Sequence, residues 1–339
     1  MIIDSIIILC ITVVLYILMI FFSRKLNYFE KENSFIIKEN KVVKSGGIIF
    51  SLVIATALFH QGITNKLLYN EIYRSYLVLP SLIIIITLFF FFDDKYDISK
   101  RIRFVAQIIF CFFGLSVLKI PFFEIIPLKV EMFFYVFCWV YLINVSNFLD
   151  GIDGYLSTNF LFFLISSIMI LNSIDHIHHS TISKDLIFIS IALFSFLIFN
   201  FPKAKIYMGD SGSVVIGFIV GLVFLKLLEY GFYIELLFLY NFFILDVTIT
   251  LIERVFIKKV LPWERLFDYN SFYPVIKFGN THLNTLIISI IYNLLFILNL
   301  FFYLKTQIIF LVLVNFCLAS LQLLHFRFIN FPKIKNKKD

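Results

Sequence analysis

The sequence predicts an all-α protein that threads a membrane many times, and three observations carry that reading. Of 339 residues, 61% are hydrophobic and 15% charged, against roughly 45–50% and about 25% in soluble domains. Apolar runs near the ~20 residues that span a bilayer recur along the whole chain. The basic residues, finally, crowd into alternate connections between those runs. No second composition interrupts this pattern, so residues 1–339 read as a single integral membrane domain.

Taken in order, the apolar runs place spans near 5–22, 47–62, 74–92, 104–118, 132–148, 158–173, 185–200, 213–228, 233–252, 284–303 and 306–325. That is eleven, with ten as the alternative count. The first run, Ile6 to Phe22, has no basic residue before it and no small-residue cleavage pattern after it, so it reads as a retained span and not a signal peptide. Of the 29 Lys and Arg, only Lys66, Arg74, Lys119, Lys129, Lys184, Lys226 and Lys305 fall on one side of this arrangement. The rest share the other side with the C-terminus, which the positive-inside rule makes cytoplasmic, leaving the N-terminus outside. The net charge of +7 then follows from topology and anionic lipid, and nothing calls for nucleic acid. Cys10, Cys111, Cys138 and Cys317 lie in apolar runs without CxxC spacing, so neither a zinc site nor a disulfide is expected.

The cytoplasmic loops, near 23–46, 93–103, 149–157, 201–212 and 253–283, collect the aspartates. Asp93 and Asp94 follow Phe89-Phe90-Phe91-Phe92 at the C-terminal end of a span. The macrodipole is negative there, so the pair is a solvated end neutralised by Lys95, Lys100 and Arg101, or else it serves a phosphate or Mg²⁺. Asn144, Asn147, Asp150 and Asp153 recur every third residue, which on a helix forms one polar edge. Gly151 and Gly154 follow, and hard oxygen ligands of this kind suit Mg²⁺ and diphosphate. The bland alternative is an Asx-rich helix stop. Tyr207-Met208-Gly209-Asp210-Ser211-Gly212-Ser213 precedes a span, so its backbone N–H groups form a phosphate cradle unless Asp210 is merely the N-cap. Asp246 lies inside a span and needs a partner, Arg254 or a ligand.

These motifs, in this order and on one side, resemble the polyprenyl-phosphate N-acetylhexosamine-1-phosphate transferase superfamily. It includes phospho-MurNAc-pentapeptide translocase and the initiators of O-antigen, enterobacterial common antigen and teichoic acid synthesis. Lys44-Ser45-Gly46-Gly47 looks like the first loop, Phe92 to Gln107 like the double-aspartate loop, Asn144 to Gly154 like NxxNxxDGxDG, Phe199 to Ser213 like the fourth loop, and Asp246-Val247-Thr248 like the ninth span. The resemblance implies transfer of a sugar-1-phosphate from a UDP-sugar to a polyprenyl phosphate at the bacterial inner membrane, with Mg²⁺ (or Mn²⁺) as cofactor and a homodimer as a candidate assembly. It makes Asp210 the principal metal ligand with Asn147 beside it. Asp153 and Tyr207 are then uracil contacts, and Asp93 and Asp94 serve the lipid phosphate, with Asp94 the base if one is needed. Asp150 and Asp246 join the catalytic set, and Lys44, Asn144, Gly209 and Ser211 the substrate-binding set.

The fifth loop departs from the pattern. Relatives carry a histidine pair there, whereas this chain reads Pro262-Trp263-Glu264-Arg265-Leu266-Phe267-Asp268-Tyr269-Asn270 and keeps only His282. Leu266 and Tyr269 replace the histidines, so Arg265, Lys277 and His282 are the nearby groups expected to read the diphosphate or sugar. A less hydroxylated donor, such as a 6-deoxy-N-acetylhexosamine, suits that loop. His176, His178 and His179 lie on the opposite side and read as a solvated loop. Two rival functions are a transporter, which the one-sided motifs and lack of an internal repeat disfavour, and a weakened paralogue that binds lipid or a partner enzyme, which the fifth loop alone suggests.

Overall fold

In water-free surroundings the backbone must satisfy its own hydrogen bonds, and helices do this within one segment. The computed structural model describes residues 2–26, 42–69, 74–118, 127–173, 177–262, 264 and 266–328, and among these it holds twelve α-helices and no β-strand. They are α1 (Ile2–Leu26), α2 (Gly47–Tyr69), α3 (Ser75–Tyr96), α4 (Lys100–Leu115), α5 (Leu128–Phe148), α6 (Tyr155–Leu171), α7 (Ile177–Asn200), α8 (Asp210–Glu229), α9 (Asn241–Ile252), α10 (Tyr273–Ile276), α11 (His282–Thr306) and α12 (Phe310–Phe328).

A helix stands at each of the eleven expected places, and α10 is an addition within the fifth loop. Eight of them, α1, α2, α3, α5, α7, α8, α11 and α12, are long and apolar enough to cross a membrane, and α6 is a shorter apolar helix. The chain is a multi-pass membrane protein. Besides α6, the helices α4 and α9 are short, for local reasons. The first turn of α4 is Lys100-Arg101-Ile102-Arg103, which leaves little apolar length. The ninth span starts at Asn241 and not near 233, because Gly231 (φ +83) and Tyr240 (φ +60) bracket a turn containing a 3-10 segment, Glu235–Phe238. Its 12 residues rise only about 18 Å, and a π-helical segment, Glu253–Lys258, continues them.

Helix α8 is the axis of the bundle. Of its span 83% is buried, against 17% of α1. Lipid tails are as apolar as Leu, so helices associate through close backbone approach and hydrogen bonds. Gly217 permits that approach: a Cβ there would lie 2.5 Å from the Cα of Ile143 on α5. One turn on, Trp139 Nε1 donates to the Phe218 carbonyl at 2.9 Å. Peripheral α1 is tied in at the motif end by Tyr16, whose hydroxyl donates to the Gly46 carbonyl at 3.0 Å. All four cysteines are free.

Candidate active site

The motif loops meet around the N-terminus of α8. Gly209 (φ +74) holds the N-cap position and Asp210 is the first helical residue, so Asp210 is not the cap. The cap comes from α3. Asp94 Oδ1 accepts from Asp210 N (3.1 Å), and Oδ2 accepts from Ser211 N (3.3 Å), Ser211 Oγ (3.0 Å) and Ser45 Oγ (2.9 Å). A Cβ on residue 209 would come within 2.6 Å of Asp94 Oδ2, which is why only glycine fits there. Lys44 Nζ in turn donates to the Asp94 carbonyl at 2.9 Å. A carboxylate thus meets the positive end of α8 and an ammonium the negative end of α3. The charge misplaced at the end of α3 is matched by the start of α8, and the N–H groups expected to cradle a phosphate are held by Asp94.

The first loop is aligned with the fourth by backbone bonds. Tyr207 N donates to Val43 O (2.8 Å), Gly46 N to Tyr207 O (2.8 Å) and Gly47 N to Met208 O (2.9 Å). These bonds set the place of Tyr207 and of Lys44.

Asp93, only 4% exposed, accepts from Ile98 N at Oδ1 (2.8 Å) and from Arg103 Nη1 at Oδ2 (3.0 Å). The same Arg103 nitrogen lies 2.9 Å from Asp210 Oδ2. Sequence reasoning passed over Arg103 as a site residue. The signal was there: three basic residues in the first turn of α4 oppose the helix dipole and need a reason.

The Asn-Asp run is not one helical edge. Helix α5 stops at Phe148, so Asn144 and Asn147 stand on its last turns while Asp150 and Asp153 occupy a turn that ends at Gly154 (φ +71), the N-cap of α6. Asn144 Nδ2 donates to Gln107 Oε1 on α4 (2.9 Å), and Asn147 Nδ2 to Ser213 Oγ on α8 (3.1 Å). Asp153 Oδ2 accepts from Ala204 N (3.1 Å), and its Oδ1 lies 3.3 Å from His282 Nδ1, which joins this turn to the fourth loop and to α11. Asn200, unremarked in the sequence, does similar work. Its Oδ1 accepts from Gly154 N (3.0 Å) and its Nδ2 donates to Ile206 O (2.9 Å). Burial, and then the Asp210, Asp94 and Asp153 carboxylates, push Asp150 up to about 8, so it carries a proton near neutral pH.

Could Mg²⁺ sit here? The donor chemistry fits. Arg103 engages Asp210 through Oδ2 alone, and the side-chain bond of Asn147 uses its amide nitrogen, so a hard oxygen on each is left for a ligand. Among the described residues no three His, Cys, Asp or Glu side chains close into a cage. Mg²⁺ does not require one, since it is usually bound by one or two carboxylates plus substrate phosphates.

Comparison with known proteins shows what the motif loops are similar to. Residues 76–228 match the family described as glycosyl transferase family 4. This matched stretch is the family 4 region. The superfamily resemblance read from the motifs is thereby borne out. The chain is 37% identical over 107 residues to the phospho-N-acetylmuramoyl-pentapeptide-transferase of Leuconostoc citreum, covering 30% of this chain and 32% of that protein. It is 28% identical over 167 residues to the undecaprenyl-phosphate alpha-N-acetylglucosaminyl 1-phosphate transferase of Thermotoga maritima, covering 49% and 51%. With the phospho-N-acetylmuramoyl-pentapeptide-transferase of Wolbachia sp. subsp. Brugia malayi it shares 29% over 214 residues, 56% and 61%. The chain therefore spans less than two thirds of the length of each of these relatives.

The double-aspartate loop, the Asn-Asp run and the fourth loop all fall inside the family 4 region, while the fifth loop lies beyond it. There Asp246, fully buried, accepts from Asn270 N (2.8 Å) and Asn270 Nδ2 (2.9 Å) at Oδ1 and from Ser271 N (3.0 Å) at Oδ2. Its partner is thus the loop and not Arg254. Arg254 instead binds Asp268 through Nε (3.0 Å) and Nη2 (2.5 Å) and the carbonyls of Pro262 and Glu264 (2.7 and 2.9 Å). Burial would raise Asp268, but Arg254 and Lys258 outweigh it and hold the carboxyl low. Tyr269, 4% exposed, stacks on Phe148 with the Arg254 guanidinium 4.8 Å from its ring centre. It is a core residue here, whereas Leu266 is 42% exposed. Arg265 and Trp263 lie outside the described residues, as does His176, and the side chains of His178 and His179 are likewise not described.

Proposed function

We propose that this chain transfers a sugar-1-phosphate from a UDP-sugar to a polyprenyl phosphate, releasing UMP, with its site on the cytoplasmic face of a bacterial inner membrane. One observation carries the reading: inside the family 4 region, Asp93, Asp94, Asp150, Asp153 and Asp210 come from three separate motifs and gather at one end of the bundle. The names of the relatives support polyprenyl-phosphate sugar-phosphate transfer as the reaction class.

In this reaction a lipid-phosphate oxygen attacks the sugar-bearing phosphorus of the donor. The bond from that phosphorus to the bridging oxygen breaks, and the oxygen leaves on UMP. Asp210 and Asn147 would hold Mg²⁺, which neutralises diphosphate charge when bound. A phosphate monoester has its second pKa near 6 and is largely dianionic at pH 7, so the acceptor needs no base. Asp94 fits that account, because four donors already occupy its carboxylate. We assign Asp93 and Asp94 to positioning. Asp153, His282 and Tyr207 frame the nucleotide side of the site, where a shared anchor links the turn before α6, the fourth loop and α11.

For the donor sugar, exposed Leu266 supports a less hydroxylated hexosamine such as a 6-deoxy-N-acetyl sugar, since an unpaired hydroxyl against it weakens binding. Buried Tyr269 adds nothing to that argument. Incubating purified protein with undecaprenyl phosphate, Mg²⁺ and a panel of UDP-sugars, and scoring UMP, tests the proposal. Release of UMP that depends on the lipid supports it, and no release with any donor favours a weakened paralogue. Labelling of cysteines introduced at positions 150 and 210 from outside intact cells would overturn the orientation.

A further inference from the structure

Arg103 stands where two carboxylates from different helices converge. Asp93 closes α3 and Asp210 opens α8, and one nitrogen, Arg103 Nη1, lies 3.0 Å from the first and 2.9 Å from the second. Without a cation between them these charges would repel, and Asp93 is too buried for water to screen it. A structural salt bridge normally uses the fork of the guanidinium, as Arg254 does on Asp268 with Nε and Nη2. Arg103 does not. Among the described residues its Nε and Nη2 make no hydrogen bond, and the side chain stays 19% exposed at the mouth of the site. It holds the carboxylates by one corner and keeps a planar edge of donors in reserve. That edge suits two phosphate oxygens. The position of Arg103 in the first turn of α4, against the dipole, gives no local reason for it to be there.

We propose that Arg103 is a resident counter-cation for Asp93 and Asp210: it neutralises the pair when no divalent cation is bound, and yields Asp210 to the metal while turning its free edge to the donor diphosphate. The inference rests on the proposed function for the identity of the metal and donor, but its test does not use turnover. The arginine competes with the metal for one carboxylate oxygen, so the empty site stays folded and discriminates against a divalent cation arriving without its diphosphate. The exchange makes or breaks no covalent bond.

Mn²⁺ provides the probe, titrated into detergent-purified full-length chain without nucleotide and followed by electron paramagnetic resonance, with thermal unfolding measured in parallel. Arg103→Gln should bind Mn²⁺ at least tenfold more tightly than the wild type. It should also unfold at a lower temperature in EDTA, with Mg²⁺ restoring most of the loss. Arg103→Lys, a single-point cation, should fall between the two. Asp210→Asn should abolish the gain in affinity in the Arg103→Gln background. A purely structural arginine would lower stability equally with and without metal and would weaken binding or leave it unchanged, and either result overturns the proposal. If Arg103→Gln does not fold, an Arg103→Lys chain with wild-type Mn²⁺ affinity overturns it equally. Failure of every form to bind Mn²⁺ also rejects it, whereas UMP release, scored separately, decides the transfer reaction.

Discussion

Asp94 and Asp246 are built alike and surrounded differently. Each is an acidic residue on a helix whose two carboxylate oxygens are taken up by backbone and side-chain donors of a distant segment: Asp94 by Ser45, Asp210 and Ser211, Asp246 by Asn270 and Ser271. Around Asp94, however, stand Asp93, Asp210, Asp150 and an arginine with unused donors. Beside the fifth loop, Arg254 and Lys258 pair with Asp268 and Arg327 pairs with Glu253. A pinned carboxylate is therefore a structural device in both places. Chemistry needs charges beside it with donors or acceptors to spare, and next to Asp94 these are Arg103 and Asp210.

The largest effect expected from this contrast is at Asp210. Asp210→Asn keeps the shape and removes one charge from the metal-facing pair, so turnover should fall by a factor of about 100 or more, worth several kcal/mol of transition-state stabilisation. Turnover within threefold of wild type, in protein that is still folded, would place the metal elsewhere. Next come the two pins compared with each other. Asp94→Ala and Asp246→Ala each strand backbone N–H groups and should each lower stability by ~1–3 kcal/mol. Only Asp94→Ala should also weaken Mn²⁺ binding, because it frees the start of α8, while Asp246→Ala should expose the segment around Asn270 and Ser271 to limited proteolysis. Equal loss of metal binding in both would dissolve the distinction between the two regions.

A smaller effect is expected at His282, which touches the site through Asp153. His282→Ala should raise KM for the UDP-sugar about tenfold, about 1.4 kcal/mol, with kcat little changed. A fall in kcat of the same size would show that it acts in the transition state. The remaining effect concerns pH. Asp150 is raised to about 8 in the folded chain, from about 3.9 for an unperturbed aspartate. The folded state therefore holds its proton more tightly. The stability this contributes is complete below about pH 4 and drains away as pH rises toward and through about 8. In EDTA, thermal stability should decline between pH 5 and 9, and Asp150→Asn should flatten the decline. An unchanged slope in the variant would assign it to another group.

Composition and the period of the apolar runs were enough to determine an all-helical membrane protein with a helix at each expected place, because hydrocarbon demands segments that satisfy their own backbone. The same reading located the motif loops, since charges at the ends of spans must have a purpose. It failed where spacing alone had to stand for shape. Asn144 to Asp153 looked like one helical edge, yet a helix stop at Phe148 puts its second half on a turn. The start of the ninth span moved to Asn241 because a left-handed Tyr240 precedes it. Partners across the bundle were invisible as well: that Asp94 caps α8, that Asp246 holds Asn270 and Ser271, and that Arg103 joins Asp93 to Asp210. Local periodicity records what each segment needs from its solvent, whereas a buried charge is matched by whichever residue the packing brings within about 3 Å, and no spacing in the chain encodes that encounter.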